Sequence, residues 1–247
     1  MHRRTFTTSL IQRLRFTEML DDEDIVVIEA LPLTIKEFPD NQHAIRDGEK
    51  ADRCCLVIEG FTIRSKTTGD GKRQILSIHI PGDIPDLQSL YLQEMDHDLI
   101  TLTHCTLGFI PHAELRKAIR LRPNIAEVFW RDTLIDAAMF RQWIVNVGQR
   151  QARSRMAHLI LELKKRLEVV GRTNGDTFRL PMTQHELADA LGLTPVHVNR
   201  TVKQLRKEGL LQIQRQTVKI LDERKLKELA DFDDSYLHQS TSQEVIA

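Results

Sequence analysis

No run of about 18 or more apolar residues occurs in the 247-residue chain, which leaves no candidate transmembrane helix. The opening stretch MHRRTFTTSLIQRLRF has basic residues but neither an apolar h-region nor a small-residue cleavage site, so no secretory signal is read there. Cysteine is scarce. Cys54, Cys55 and Cys105 offer no CxxC pair for zinc or an iron–sulfur cluster and no even count for a secreted disulfide framework. They read as buried reduced thiols. A paired HxH is also missing, since His79 and His104 stand apart from other histidines, and a metal-dependent barrel enzyme needs such clustered ligands. The expectation is a soluble, cytoplasmic, non-membrane protein of two ordinary domains, with no catalytic residues, no metal and no cofactor.

An excess of one charge sign is absent overall, because 35 Lys and Arg balance 35 Asp and Glu. The balance conceals a division. Residues 141–225 carry 17 basic and 8 acidic side chains, net +9, so the remainder carries −9. A basic C-terminal part on an acidic body predicts that only the former approaches a polyanion.

From about Ile25 to Ile119 the apolar residues come in short groups broken by turn signals, as in QHAIRDGE, RCCLVIEGFTIRSK and HDLITLTHCTLGFIP, the texture of an all-β domain. Gly69-Asp70-Gly71 marks a hairpin turn. After Pro123 a glycine-free stretch, Asn124 to Val147, is apolar on nearly every face, which predicts a helix buried on several sides. One side packs on the β domain and the other on a second copy, with Phe129, Ile135, Met139 and Trp143 as the expected dimer interface. A core helix of a large monomeric domain is the alternative. A second helix is predicted over Ala152 to Val169, followed by a loop at Gly171 to Asp176 and a short strand at Phe178 to Pro181.

The segment TQHELADALGLTPVHVNRTVKQLRKEG, Thr183 to Gly209, carries the function. Thr183 with Glu186 makes a capping box, Leu187 and Leu191 face inward, and Gly192 ends the first helix. Thr194 caps a second helix with Pro195 at its first position. Val198, Val202 and Leu205 are its expected buried stripe. The opposite face is short, polar and basic, as a recognition helix in the major groove should be. Arg200 can donate two hydrogen bonds to guanine, Asn199 can bridge adenine, and Val196 offers methyl contact to thymine. Thr183, Gln184, Thr194, His197 and Lys203 are expected at phosphate. Two short strands, Leu210 to Ile213 and Thr217 to Leu221, flank Gln214-Arg215-Gln216 and make a wing whose Arg215 reaches the backbone.

These motifs resemble the Crp/Fnr superfamily, the bacterial regulators named for the cyclic AMP receptor protein and the fumarate and nitrate reduction regulator. The resemblance rests on LTPVHVNRTVKQLRKEGLL, RQARSRMAHLILEL, IRDGEKADRCCLVIEGFTIRSK and IHIPGD, and spans about residues 25 to 222. It implies an α+β chain: an antiparallel, cyclic-nucleotide-binding-like β-roll over 22–122, a dimerisation helix over 123–148, and a winged helix-turn-helix over 149–225. Residues 235–247 read as a disordered tail, and the first twenty carry no signal. The implied partners are double-stranded DNA, a second copy of the chain and RNA polymerase.

Where cyclic-nucleotide-binding members carry Gly-Glu and Arg-Ser pairs, this chain has Pro85-Asp86 and the acidic Asp96 and Asp98. A phosphate would meet carboxylates there, so cyclic AMP is not expected to bind. The N-terminal cysteine group of the oxygen-sensing branch is missing, and Met95, His79 and His97 lack diagnostic spacing for haem. In the recognition helix Pro195 and Val196 replace the Arg-Glu of the cyclic AMP receptor pattern, and Arg200 alone matches. The expectation is a dimeric, sequence-specific transcription regulator on an inverted repeat. The alternatives are a cyclic-nucleotide- or haem-gated regulator of the same fold, or a sensor module that recruits protein instead of DNA.

Overall fold

The computed structural model describes residues 6–15, 20–92 and 94–239. In chain order the chain forms helices α1 (Thr8–Arg15) and α2 (Asp22–Glu29), then strands β1 (Thr34–Phe38), β2 (His43–Ile45), β3 (Arg53–Glu59), β4 (Thr62–Thr67), β5 (Arg73–His79), β6 (Asp98–Thr101) and β7 (Cys105–Pro111). Helices α3 (His112–Leu121), α4 (Pro123–Gly148) and α5 (Ala152–Val169) follow, then β8 (Thr173–Asn174), β9 (Thr177–Arg179), α6 (Gln184–Leu191), α7 (Pro195–Lys207), β10 (Leu211–Gln214), β11 (Thr217–Ile220) and α8 (Glu223–Ala230). The chain divides into two compact units. One takes Met1–Ser65, Ile78–Ala137 and Leu237–Ala247, and the other takes Lys66–Ser77 and Ala138–Tyr236. The expected domain ends at 122 and 148 therefore differ from the observed division, which falls inside α4. A 26-residue helix is about 39 Å long, longer than the body of one small domain.

Antiparallel pairing gives one sheet of order β1-β7-β3 and another of order β2-β6-β4-β5. Alternate residues of β3 point to opposite faces, and both faces are buried. Cys54 and Leu56 enter a core with Leu10, Ile28, Ile110 and Phe129, whereas Cys55 and Val57 enter a second with Ile45, Leu99, Leu107 and Phe109. All three cysteines are buried free thiols, and burial pushes those of Cys54 and Cys55 up.

Residues 6–15, within a stretch that carried no sequence signal, include a helix that joins the core. Leu10, Ile11 and Leu14 of α1 are buried in the first core, and the helix lies against the turn Pro81-Gly82-Asp83. Gly82 has φ +97°, and a Cβ there would stand 2.6 Å from the Ser9 carbonyl oxygen, so both backbone conformation and close approach require glycine. Arg13 donates to the Gly82 carbonyl at 3.0 Å and pairs with Asp132 of α4.

Two members of the expected dimer interface are corrected. Phe129 is buried in the first core, and Trp143 is buried with its Nε1–H donated to Glu162 Oε1 at 3.1 Å. Both faces of α4 are apolar, and the chain's own core takes these residues. Ile135 and Met139 are half-buried. Trp130, at 66% exposure, Leu134 and Ile144, at 68%, point outward.

The tail expectation is also corrected in part. After α8, Asp231 turns the chain with φ +47°, and Ser235–Leu237 form a short 3-10 turn with Tyr236 and Leu237 buried. The Tyr236 hydroxyl donates to Glu162 Oε2 at 2.8 Å. Its ring stacks on His158 at 5.8 Å between centroids. The rest of the expected tail, 240–247, lies outside the described residues.

Candidate nucleic-acid interface

Local chemistry builds the helix-turn-helix. Thr183 Oγ1 accepts from the Glu186 N–H at 3.2 Å while Glu186 Oε2 accepts from the Thr183 N–H at 2.6 Å, a complete capping box at the start of α6. Gly192 ends α6 in the left-handed conformation, φ +61°, which costs a side-chain-bearing residue about 1–2 kcal/mol. Thr194 Oγ1 then accepts from the His197 N–H at 3.2 Å, and Pro195 occupies the first turn of α7, where its missing N–H is no loss.

The buried stripe of α7 is Val198, Thr201 and Leu205. Thr201 takes the place expected for Val202, which is half-buried; both sets combine one spacing of three with one of four, so helical spacing alone does not separate them. The opposite face carries Val196, 80% exposed, with Arg200, Lys203 and Lys207 exposed beyond it at helical spacing. Asn199 and His197 are half-buried beside that stripe, and Thr183, Gln184 and Thr194 are exposed at the two helix starts. Of the sequence-predicted residues of α7, Val196, Arg200 and Lys203 share one open face, and Asn199 and His197 lie half-buried at its margins. Lys207 was missed, although its spacing of four from Lys203 was the available signal.

The wing is a two-residue hairpin. Gln214 pairs with Thr217, so the strands are Leu211–Gln214 and Thr217–Ile220 and the tip is Arg215-Gln216. Both tip residues have positive φ, +46° and +63°, the geometry that suits the right-handed strand twist of tight hairpins. Arg215 is exposed there. Strand β11 also pairs with β9. Phe178 and Val218 face inward, leaving Arg179 and Lys219 exposed on the outer face. Their period-two alternation around buried neighbours was legible but unused.

Buttressing comes from α5, with Met156, Leu159, Ile160, Leu163 and Leu167 all buried. Arg153 pairs with Glu208 after α7, and Arg73 pairs with Asp189 of α6 at 2.8 Å.

In the first unit the interior holds a cation that sequence reading overlooked. Arg64, nearly fully buried on β4, donates through Nε to the Pro85 carbonyl at 2.7 Å and through Nη1 to Asp136 at 2.5 Å. Asp86 is fully buried, accepts from the Cys55 N–H at 2.7 Å, and is pushed up to about 7 by burial. His79 lies 3.4 Å from Asp83, and burial and Arg64 press it down to about 4. Asp98 accepts from the Asp47 N–H at 3.0 Å, and Asp96 is an exposed partner of His97. The guanidinium of this set is already held by protein oxygens, and its other members are carboxyls and imidazoles, a poor match for a cyclic phosphate. Among the described residues no group of three or more His, Cys, Asp or Glu is placed to hold a metal ion. No helix among them is long and apolar enough to cross a membrane.

Comparison with known proteins places these parts. Residues 154–229 match the family described as the Crp-like helix-turn-helix domain, and residues 35–121 match the cyclic nucleotide-binding domain. The transcriptional activatory protein AadR of Rhodopseudomonas palustris is 30% identical over 189 residues, 74% of this chain and 76% of that one. The transcriptional activator protein FnrL of Cereibacter sphaeroides is 26% identical over 197 residues, 78% of each chain. Among solved structures FixK2 from Bradyrhizobium japonicum shares the fold with a TM-score of 0.74 at 24% identity, covering 81% of this chain and 98% of that one.

Proposed function

This chain belongs to the Crp/Fnr family of transcription regulators, and we propose that it acts as a cytoplasmic homodimer that reads an inverted-repeat DNA operator without a cyclic nucleotide. The observation that carries the reading is the open face of α7, where Val196, Arg200 and Lys203 stand exposed on a helix whose other side is locked into the fold. Arg200 suits a guanine edge, Asn199 an adenine and Val196 a thymine methyl. Thr183, Gln184, Thr194, His197, Lys203 and Arg215 suit phosphate. Arg179, Lys207 and Lys219 add positive charge, and every such contact makes affinity fall with salt.

Self-association runs along α4 through Trp130, Leu134 and Ile144, whose spacings of four and ten repeat the same helix face. A two-fold pair would hold two recognition helices about 34 Å apart, one turn of DNA. RNA polymerase is the further partner of a regulator bound this way. Independence from cyclic nucleotide is supported by the Arg64 to Asp136 pair and the buried Asp86.

The test is selection from random duplex DNA by the purified protein at moderate salt with no added effector. Enrichment of an inverted repeat with half-sites one turn apart is expected. Enrichment only after cyclic AMP is added would overturn the effector-independent reading, and no enrichment with or without it would overturn the DNA reading.

A further inference from the structure

Helix α4 ends at Gly148 and α5 begins at Ala152, and the short break between them is spanned by one guanidinium. Arg155, on the first turn of α5, donates through Nη2 to the carbonyls of Val147, at 3.1 Å, and Arg150, at 2.9 Å, and through Nη1 to the carbonyl of Leu191. Val147 belongs to the last turn of α4, and Leu191 is the last residue of α6. Carbonyls at helix C-termini lack intrahelical donors and carry the negative end of the helix dipole. A single cation therefore ties two helix ends together with the bend between them. Its Nη1 also lies 3.5 Å from where a Cβ on Gly192 would stand, so it seats against the turn that leads through Thr194 into α7.

We propose that Arg155 is the positioning residue that fixes the recognition helix relative to the end of α4, and so sets the spacing of the half-sites the regulator accepts. This rests on the dimeric DNA reading above. The neighbouring arginines do not duplicate the bridge, and the Val147 side chain, 3.8 Å from where a Cβ on Gly192 would stand, adds only an apolar contact beside it. Arg150 donates to Gln142 and Asn146, on α4 alone, and Arg153 joins α5 to Glu208 at the far end of α7. Only a planar fork can serve three carbonyls arranged around it, so lysine is not an equivalent. Arg155 does not lie on the open face of α7, which predicts separable effects: the base sequence of each half-site is kept, and the distance between half-sites is relaxed.

The experiment compares the full chain with Arg155→Ala and Arg155→Lys in the random-duplex selection, and measures hydrogen exchange on all three without DNA. Both variants are expected to retain the same half-site sequence but spread over several separations, with affinity for the preferred full site falling about tenfold as the effective concentration of the second half drops. In both, exchange should quicken at 149–151 and 192–194 while the Leu205 region is unchanged. Wild-type spacing in either variant overturns the proposal, as does a changed half-site sequence or general acceleration of exchange, which would mark Arg155 as merely a folding residue. If the wild-type chain enriches no repeat, the DNA reading fails while exchange still judges Arg155: local quickening upholds its positioning role, and unchanged exchange overturns it.

Discussion

Replacing Tyr236 with phenylalanine removes one oxygen and leaves the ring. Glu162 is fully buried, accepting from Trp143 Nε1 at 3.1 Å and from the Tyr236 hydroxyl at 2.8 Å, with Arg166 at 3.8 Å. In Tyr236→Phe the stacking on His158 and the edge contact with Phe232 persist, so the loss is confined to one hydrogen bond at a buried carboxyl. Losing one of the donors to a buried carboxyl costs about 1–3 kcal/mol. Taking about 2 kcal/mol, a chain of this size should melt about 4–8 °C lower. Differential scanning calorimetry measures this, with urea titration checking that the slope is unchanged. Trp143→Phe should cost a similar amount, and the double variant should depart from the sum of the two, since both donors serve one carboxyl. A Tyr236→Phe melt within about 1 °C of wild type would refute the argument. So would an unchanged melt on truncation after Asp231, since the 232–236 segment would then not be docked.

Four further outcomes follow. Burial presses His158 down to about 3. The unfolded chain therefore takes up the proton that the fold refuses, and stability complete above pH 6.5 is lost as pH falls, by about 2 kcal/mol between pH 7 and pH 5. In the first unit His79, near 4, and His97 and His112, also lowered by burial, act in the same direction, while Asp86, near 7, is protonated in the fold and ionised when unfolded and so offsets one of them. Hydrogen exchange should thus show α5 losing protection between pH 7 and pH 5, and protection unchanged there would contradict the assignment. Gly192→Ala meets no atom nearer than 3.5 Å, so its expected cost is the backbone conformation alone, about 1–2 kcal/mol by urea denaturation; a neutral change sinks that reasoning. Arg200→Ala should weaken operator binding by about 1–3 kcal/mol and relax preference at one base pair, and unchanged specificity in a repeated selection removes it from the readout. Trp130→Glu should halve the mass seen by light scattering, whereas Phe129→Leu, an interior change, should not.

The helix-turn-helix was legible because its signals are local. Thr183 with Glu186, Gly192, Thr194 and Pro195 each specify a backbone event within four residues, and each event is found at its own residue. The wing was legible from apolar alternation, although its tip was not resolved, since Arg215 and Gln216 adopt positive φ without being glycine. Helix α4 resisted reading for the opposite reason. Phe129 and Trp130 are neighbours of similar apolarity, one buried in the core and the other 66% exposed, and periodicity cannot choose a side when every side is apolar.

What stayed hidden was polar and distant in sequence. Arg64 sits in TIRSKT, where alternation reads it as a solvent-facing residue, yet it is buried and reaches Asp136, 72 positions away. Tyr236 reaches Glu162 across 74 positions, from a stretch whose composition reads as a tail. A buried charge or phenol is tolerable only where its partner is already present, and no window of a few residues contains both members of such a pair. The predictability of each part therefore follows the range of the interaction that fixes it. The caps and turns of α6 and α7 were readable residue by residue, whereas the interior of the first unit and the C-terminal segment became readable only once the partners across the fold were in place.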